Sequence, residues 1–263
     1  MTTVNYSVDN HVARVTLNRP EKYNALDMEL MESLLAVHQQ LLADKSIRAV
    51  VLSGEGPGFC SGLDFASVMA NPNNIPDLLS RDESSPANKV QQLGYRFQQL
   101  EVPVIAALHG VVFGGGLQIA LGADIRIAHP GTELSVMEIK WGLIPDMSIT
   151  TTLLKTAPLD VVKELTWTGR KVKAEEAQRL GLVTQLSDQP LGAAIALANE
   201  IATKNPEAIS RAKHLYNHAI VAEDQQRLQL EEDLQKEILM TPNQLEALQA
   251  NMAKRPPVFK DRK

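Results

Sequence analysis

The stretch Val111–Ala128, VVFGGGLQIALGADIRIA, decides how the chain reads. A β-branched run ends in Gly114, Gly115 and Gly116, and an apolar, helix-like run begins at once. Three consecutive glycines cost backbone entropy, so the chain must need them there. Three needs fit: cradling a phosphate, packing a helix tightly on a strand, or bringing a ligand against bare backbone. The first is disfavoured, because neither GxGxxG nor a phosphate loop with its lysine is present. In the third, unpaired N–H groups at a helix N-terminus would stabilise negative charge developing on an oxygen. A second strand-exit turn, GPGFCSGLDF (Gly56–Phe65), favours it, since two such turns can aim one N–H each at a single oxygen. Gln118 is the only polar residue on the helix start.

Working outward, Val4–Asn18 alternates apolar and polar residues on either side of Asp9-Asn10 and reads as a hairpin. Met28–Leu42 carries a helical apolar stripe. Ile47–Gly54 and Pro103–Leu108 read as buried strands, and ADIRIA and TELSV as short strands around the turn His129-Pro130-Gly131. Asn71–Asn88, broken by Pro72, Pro76 and Pro86, reads as a loop, and Tyr95–Leu100 as a helix end. Helical patterns dominate from Asp160 and almost exclusively from Leu191, including Arg211–Ala219 and Glu223–Leu239. The expected architecture is α/β: a core over residues 1–195 and a helical region over 196–263, too apolar on one face to stand alone in water.

The 263 residues are 44% hydrophobic and 22% charged, with net charge −5 and 4% aromatics. That balance argues against nucleic-acid and acidic-membrane partners. The single cysteine, Cys60, excludes internal disulfides and fits a reducing, cytoplasmic setting. No signal-peptide pattern or membrane-length apolar run is expected.

LNRPEKYNALD, GFCSGLDF, HGVVFGGGLQIALGADIRIA and MEIKWGLIPD occur in that order. Together they resemble the crotonase superfamily, the enoyl-CoA hydratase/isomerase family, over nearly the whole chain. The resemblance implies a spiral of β-β-α units, with C-terminal helices that build a trimer or a dimer of trimers. It also implies an acyl-coenzyme A substrate, with coenzyme A as part of that substrate and no separate cofactor or metal. By resemblance, the backbone N–H groups of Leu63 and Gly115 hold the thioester oxygen. By the same resemblance, the backbone of Asn24, Ala25 and Leu26, and the turns containing Ser61, Gly62, Asp64, Phe65, Ala66 and Gly114 line coenzyme A and the acyl group. Lys22, Lys254 and Lys260 are candidates for its phosphates, the last two from a neighbouring subunit.

Family hydratases use two carboxylates. One matches Glu138, but the other falls on Gln118, which has no proton to exchange near neutral pH and is left to orient a water or substrate. Glu138 alone is enough to carry a proton between two carbons of an enolate, which tilts the reading toward double-bond isomerisation. Asp146 matches an aspartate of dienoyl-CoA isomerases and equally suits a helix cap near Met147. The alternatives are a 2-enoyl-CoA hydratase using Glu138 and Asp146, a catalytically silent acyl-CoA binder, and a thiol hydrolase. In the last, Cys60 sits in a G-x-C-x-G string with a base drawn from His109, His129, His214 or His218. The His214/His218 pair has metal-ligand spacing but no third ligand in the sequence.

Overall fold

The computed structural model describes residues 2–82, 85–220 and 222–262. A six-stranded sheet runs in the order β1 (Val4–Asp9), β2 (Val12–Leu17), β3 (Ala49–Gly54), β4 (Val104–Leu108), β6 (Ile125–Ala128), β9 (Gln185–Leu186). Only the β1–β2 pair is antiparallel. Its two-residue link puts Asn10 and His11 at positive φ, 48° and 67°, the twist that tight hairpins require. A three-stranded sheet, β5 (Val111–Phe113), β7 (Glu133–Ser135) and β8 (Val172–Lys173), lies beside it.

The helices are α1 (Met28–Ala43), α2 (Phe65–Met69), α3 (Asn74–Leu78), α4 (Gln92–Gln99), α5 (Gly115–Leu121), α6 (Ile149–Thr152), α7 (Leu159–Thr168), α8 (Ala174–Arg179), α9 (Pro190–Ala202), α10 (Pro206–Ala219), α11 (Asp224–Ile238) and α12 (Pro242–Met252). The order first-sheet strand, second-sheet strand, helix recurs in β4–β5–α5 and again in β6–β7–α6. This is the expected β-β-α spiral. One expectation needs correction: the proline-broken stretch 71–88 contains α3, because Pro76 lies in its first turn, where a missing N–H costs nothing. The stretch includes Glu83 and Ser84, which lie outside the described residues.

Strand alternation gives the large sheet two cores. Val50, Leu52, Val104, Ala106 and Leu108 pack with α1, α4 and α5, on the side that carries the candidate site. Ala49, Val51, Ile105, Ala107 and Ile127 face Ala194, Ala198 and Ala202, a small-residue stripe that lets α9 lie close to the sheet. The boundary expected at 195/196 lies inside α9. The helices beyond it are tied to their own core. Lys213 Nζ, on α10, donates to Phe97 O, Val102 O and Asp124 Oδ2 at 3.2, 2.9 and 2.7 Å. The tail returns to the start of β3, where Arg48 donates to Phe259 O and Arg262 to Ile47 O.

One core residue titrates against stability. His38, on α1, is fully buried edge-on to Phe97, 4.2 Å between centroids, with neither ring nitrogen hydrogen-bonded. Burial, with a smaller push from Arg96, takes its pKa down to about 3 from 6.5. Between those values the unfolded chain binds a proton that the folded chain refuses. Stability therefore falls as pH drops through 6.5, by about 1.4 kcal/mol per unit from this site. His38→Leu should flatten that limb, gaining about 2 kcal/mol between about pH 7 and pH 5 relative to the unmodified protein in urea titrations. Parallel pH dependences would refute this.

Candidate active site

Strands β3 and β4 are parallel neighbours, with Leu52 opposite Ala106, so the bends that leave them emerge side by side. After β3 the chain runs through Phe59–Leu63 and pairs with β5: Cys60 N–H donates to Val111 O at 3.1 Å and Phe113 N–H to Cys60 O at 3.0 Å. Leu26 then clasps the bend, its N–H donating to Gly62 O and its carbonyl accepting from Asp64 N–H. Gly62 has φ 94°, and a Cβ there would lie 3.0 Å from Phe113 O and 3.6 Å from Gly115 N. The bends therefore touch at the two expected donors. Among the described residues, the N–H groups of Leu63 and Gly115 have no protein acceptor, and both residues line one cavity.

The three glycines answer different needs. Gly114 has φ 51° and ψ −122°, a conformation that favours glycine, and a Cβ there would sit 3.3 Å from Glu138 Oε1. Gly115 opens α5. Gly116 meets close packing: a Cβ would fall 2.6 Å from both Cβ and O of Cys60. The packing reading of GGG holds at Gly116, and Gly115 leaves its N–H at the cavity.

The donor bends hang from a buried amide. Asn24 Nδ2 donates to Glu55 O, Gly58 O and Phe59 O, and its Oδ1 accepts from Arg19 N–H at 2.7 Å. Asn24 is fully buried and braces the site through its side chain. Arg19, which the sequence did not mark, pairs with Asp27 and Asp64 and donates to Ala25 O. That guanidinium holds the Asp64 carboxyl below its usual range while Asp64 caps α2. The charge of exposed Lys22 also reaches Asp64, placing Lys22 at this rim.

Glu138 opens the 3₁₀ turn Glu138–Trp141 after β7. Its Oε1 accepts from Gln118 Nε2 at 2.6 Å; its Oε2 is buried and unpartnered. Burial chiefly, with the charge of Asp146 adding, pushes the Glu138 carboxyl above its ordinary range, against the Gln118 bond. Gln118 is buried, lies outside the cavity lining, and accepts Met147 N–H at 2.8 Å. Both ends of the Gln118 amide are thus taken by protein groups. Asp146 stands on the cavity wall with its carboxyl also raised by its surroundings. The cap reading of Asp146 is corrected: α6 begins at Ile149, with Ser148 in the cap position at φ 69°.

The cavity holds about 390 Å³. Ser61, Leu63, Phe65, Gly114 and Gly115 form one wall; Ile75, Leu78, Leu79 and Val90 from the 71–90 segment form another. Trp141, Leu143 and Ile144 close the third, and Trp141 meets Phe65 at 4.5 Å across the rim. Trp141 was not singled out from sequence; its place three residues after Glu138 was the available signal. Ala66 is exposed on α2. Lys254 and Lys260 do not line the cavity; Lys260 pairs through its backbone with Asn243.

The thiol-hydrolase alternative fails on geometry. Cys60 is fully buried, its thiol donates to Asn24 O, and burial pushes its pKa up to about 12. None of the four candidate histidines lines the cavity; His214 and His218 stack on each other at 4.0 Å. Native protein should resist iodoacetamide until unfolded; stoichiometric labelling by mass, with loss of turnover, would reverse that conclusion.

Residues 7–262 match the family model described as enoyl-CoA hydratase/isomerase. The short-chain-enoyl-CoA hydratase of Clostridium acetobutylicum is 32% identical over 250 residues, covering 94% of this chain and 93% of that protein. A mitochondrial Δ(3,5)-Δ(2,4)-dienoyl-CoA isomerase of Mus musculus is 34% identical over 223 residues, 79% of this chain and 66% of its own. The crystal structure of an enoyl-CoA hydratase from Bacillus anthracis superposes with a TM-score of 0.90 at 30% identity, covering 98% of this chain and 99% of that one. A whole-chain match of sequence, spiral fold and paired donor bends leaves one conclusion: the chain belongs to the enoyl-CoA hydratase/isomerase family of the crotonase superfamily and is an enzyme of that family.

Proposed function

We propose that the protein moves the double bond of an enoyl-CoA thioester through an enolate, with Glu138 carrying the proton. One observation supports this above the others: the side chain beside Glu138 is the amide of Gln118, so the first hydratase carboxylate is missing while Glu138 Oε2 stands unpartnered. The thioester oxygen would take the N–H groups of Leu63 and Gly115. Glu138 would remove a proton from the α-carbon, the electron pair would spread to that oxygen, and the protonated acid would return the proton at the γ-carbon. The double bond moves from the 3- to the 2-position with no atom gained or lost. Asp146 would keep a second carboxyl near the distal carbons.

Coenzyme A would lie along Lys22, the backbone of Asn24–Leu26, and the Ser61–Ala66 turn. Lys254 and Lys260 would reach it only from a neighbouring copy in a trimer or dimer of trimers. The exposed Tyr216, Leu228, Met240 and Met252 of the helical region support such packing. Among the described residues no helix is long and apolar enough to cross a membrane; a cytoplasmic setting rests on the single buried cysteine.

The test is product analysis with 2-enoyl-, 3-enoyl- and 3,5-dienoyl-CoA. Conversion of 3-enoyl- to 2-enoyl-CoA faster than any 3-hydroxyacyl product is expected. Rapid 3-hydroxyacyl-CoA formation from the 2-enoyl substrate would install the hydratase reading, with Glu138 and Asp146 as its acid and base. Tight binding without any turnover would leave a silent binder.

A further inference from the structure

Gln118 has both ends of its side chain occupied, one on each acid-bearing segment. Nε2 reaches Glu138 Oε1 at 2.6 Å, and Oε1 takes the N–H of Met147, the residue after Asp146, at 2.8 Å. The turn it holds does not rest in an easy conformation, since Ser148 sits at φ 69° without being glycine. Helix α4 confines the same turn: a Cβ on Gly94 would lie 2.9 Å from Gln118 O, 3.0 Å from Ser148 Oγ and 3.3 Å from Met147 O.

We infer that Gln118 is a positioning residue that locks Glu138 and the Asp146–Met147 turn onto the amide-bearing start of α5, leaving Glu138 Oε2 as the oxygen that exchanges protons. The last clause rests on the isomerase reading; the lock does not. Glutamine supplies a donor and an acceptor at once. A protonated glutamic acid does the same, with its O–H toward Glu138 and its C=O toward Met147. An ionised glutamate would instead set oxygen against oxygen, and an aliphatic side chain would abandon both partners.

The charges facing Glu138 are few. Asp146, on the same cavity, acts on it as a like charge. Lys140, on its own turn, lies over the Trp141 ring at 5.9 Å. Helix α5 and the Ser61–Leu63 bend bring none, Asp64 is paired with Arg19, and α7, packed on the same turn, carries Asp160, Lys163 and Glu164, the last paired with Arg170.

The experiment is a difference-infrared titration of the free protein, with Glu138→Gln assigning the Glu138 carboxyl band, alongside pH profiles of kcat/KM. In Gln118→Met, Glu138 should titrate about one pH unit higher, since a hydrogen bond to its ionised form is lost. The acid limb of the rate profile should move with it while KM stays near its original value. Gln118→Glu should work only over the pH range in which the pair holds one proton, with Glu138 ionised and the new acid protonated, and fail on either side of it. An unshifted Glu138 band in Gln118→Met would overturn the inference. Should that variant not fold, Gln118→Glu carries the test: the two carboxyls must titrate as a coupled pair with one well above the usual range, and independent, ordinary titrations would overturn it. A shifted band in a protein that isomerises nothing would uphold the lock and remove only the proton-exchange role.

Discussion

Glu138→Gln is expected to lose about 10²- to 10⁴-fold in kcat with little change in KM, the range set by removing an essential acid/base. The substitution keeps an oxygen to accept from Gln118 Nε2, so the fold and the cavity should persist, and a urea titration matching the unmodified protein would show it. The pH dependence has a definite sign. To take an α-proton, Glu138 must be ionised, and burial raises its pKa above the ordinary carboxylate range. The rate should therefore climb with pH through a value higher than that of a free glutamate, and Glu138→Gln should abolish the limb. Turnover retained within a few-fold, or an acid limb that survives the substitution, would remove Glu138 from the chemistry.

Gly62→Ala is expected to cost about 10²- to 10³-fold in kcat, the usual consequence of losing one donor to a developing oxyanion. The added methyl group meets Phe113 O at 3.0 Å, and the backbone at φ 94° resists any side chain. Something must shift, and the neighbours are the two bends that carry the Leu63 and Gly115 N–H groups. The strain should also lower stability by about 1–3 kcal/mol, measurable in urea, whereas KM should stay nearly constant, because the coenzyme A contacts proposed for the Lys22 and Asp64 rim are left in place. A kcat close to that of the unmodified protein would mean that these amides do not hold the reacting oxygen.

Much of this arrangement was legible because it is local. The hairpin, the helix from Met28 and the strands at Ile47–Gly54 and Pro103–Leu108 announce themselves by periodicity and by the residues that end them. The donor bends show in their glycines, and Glu138 shows through its motif. What stayed hidden depends on distance across the fold. Gln118 and Met147 are 29 positions apart, and nothing in either segment says that the amide turns away from the substrate. Asp146 has the composition of a cap, and only the start of α6 at Ile149 shows that it is not one. Lys254 and Lys260 sit in a basic tail that reads as a phosphate grip, yet Arg48 and Arg262 strap that tail to the opposite end of the strand, where β3 begins. That the side-chain amide of Asn24 sits among three carbonyls is equally invisible in the sequence.

Because β3 and β4 run parallel and in register, their exits bring the Leu63 and Gly115 main-chain hydrogens to one cavity, with the Asn24 amide bracing the first bend from outside it. The carboxyls of Glu138 and Asp146 come from a separate segment, after β7 and before α6. On the proposed reading, that division would let the reaction be rewritten at positions 138 and 146 while the two main-chain donors stay in place.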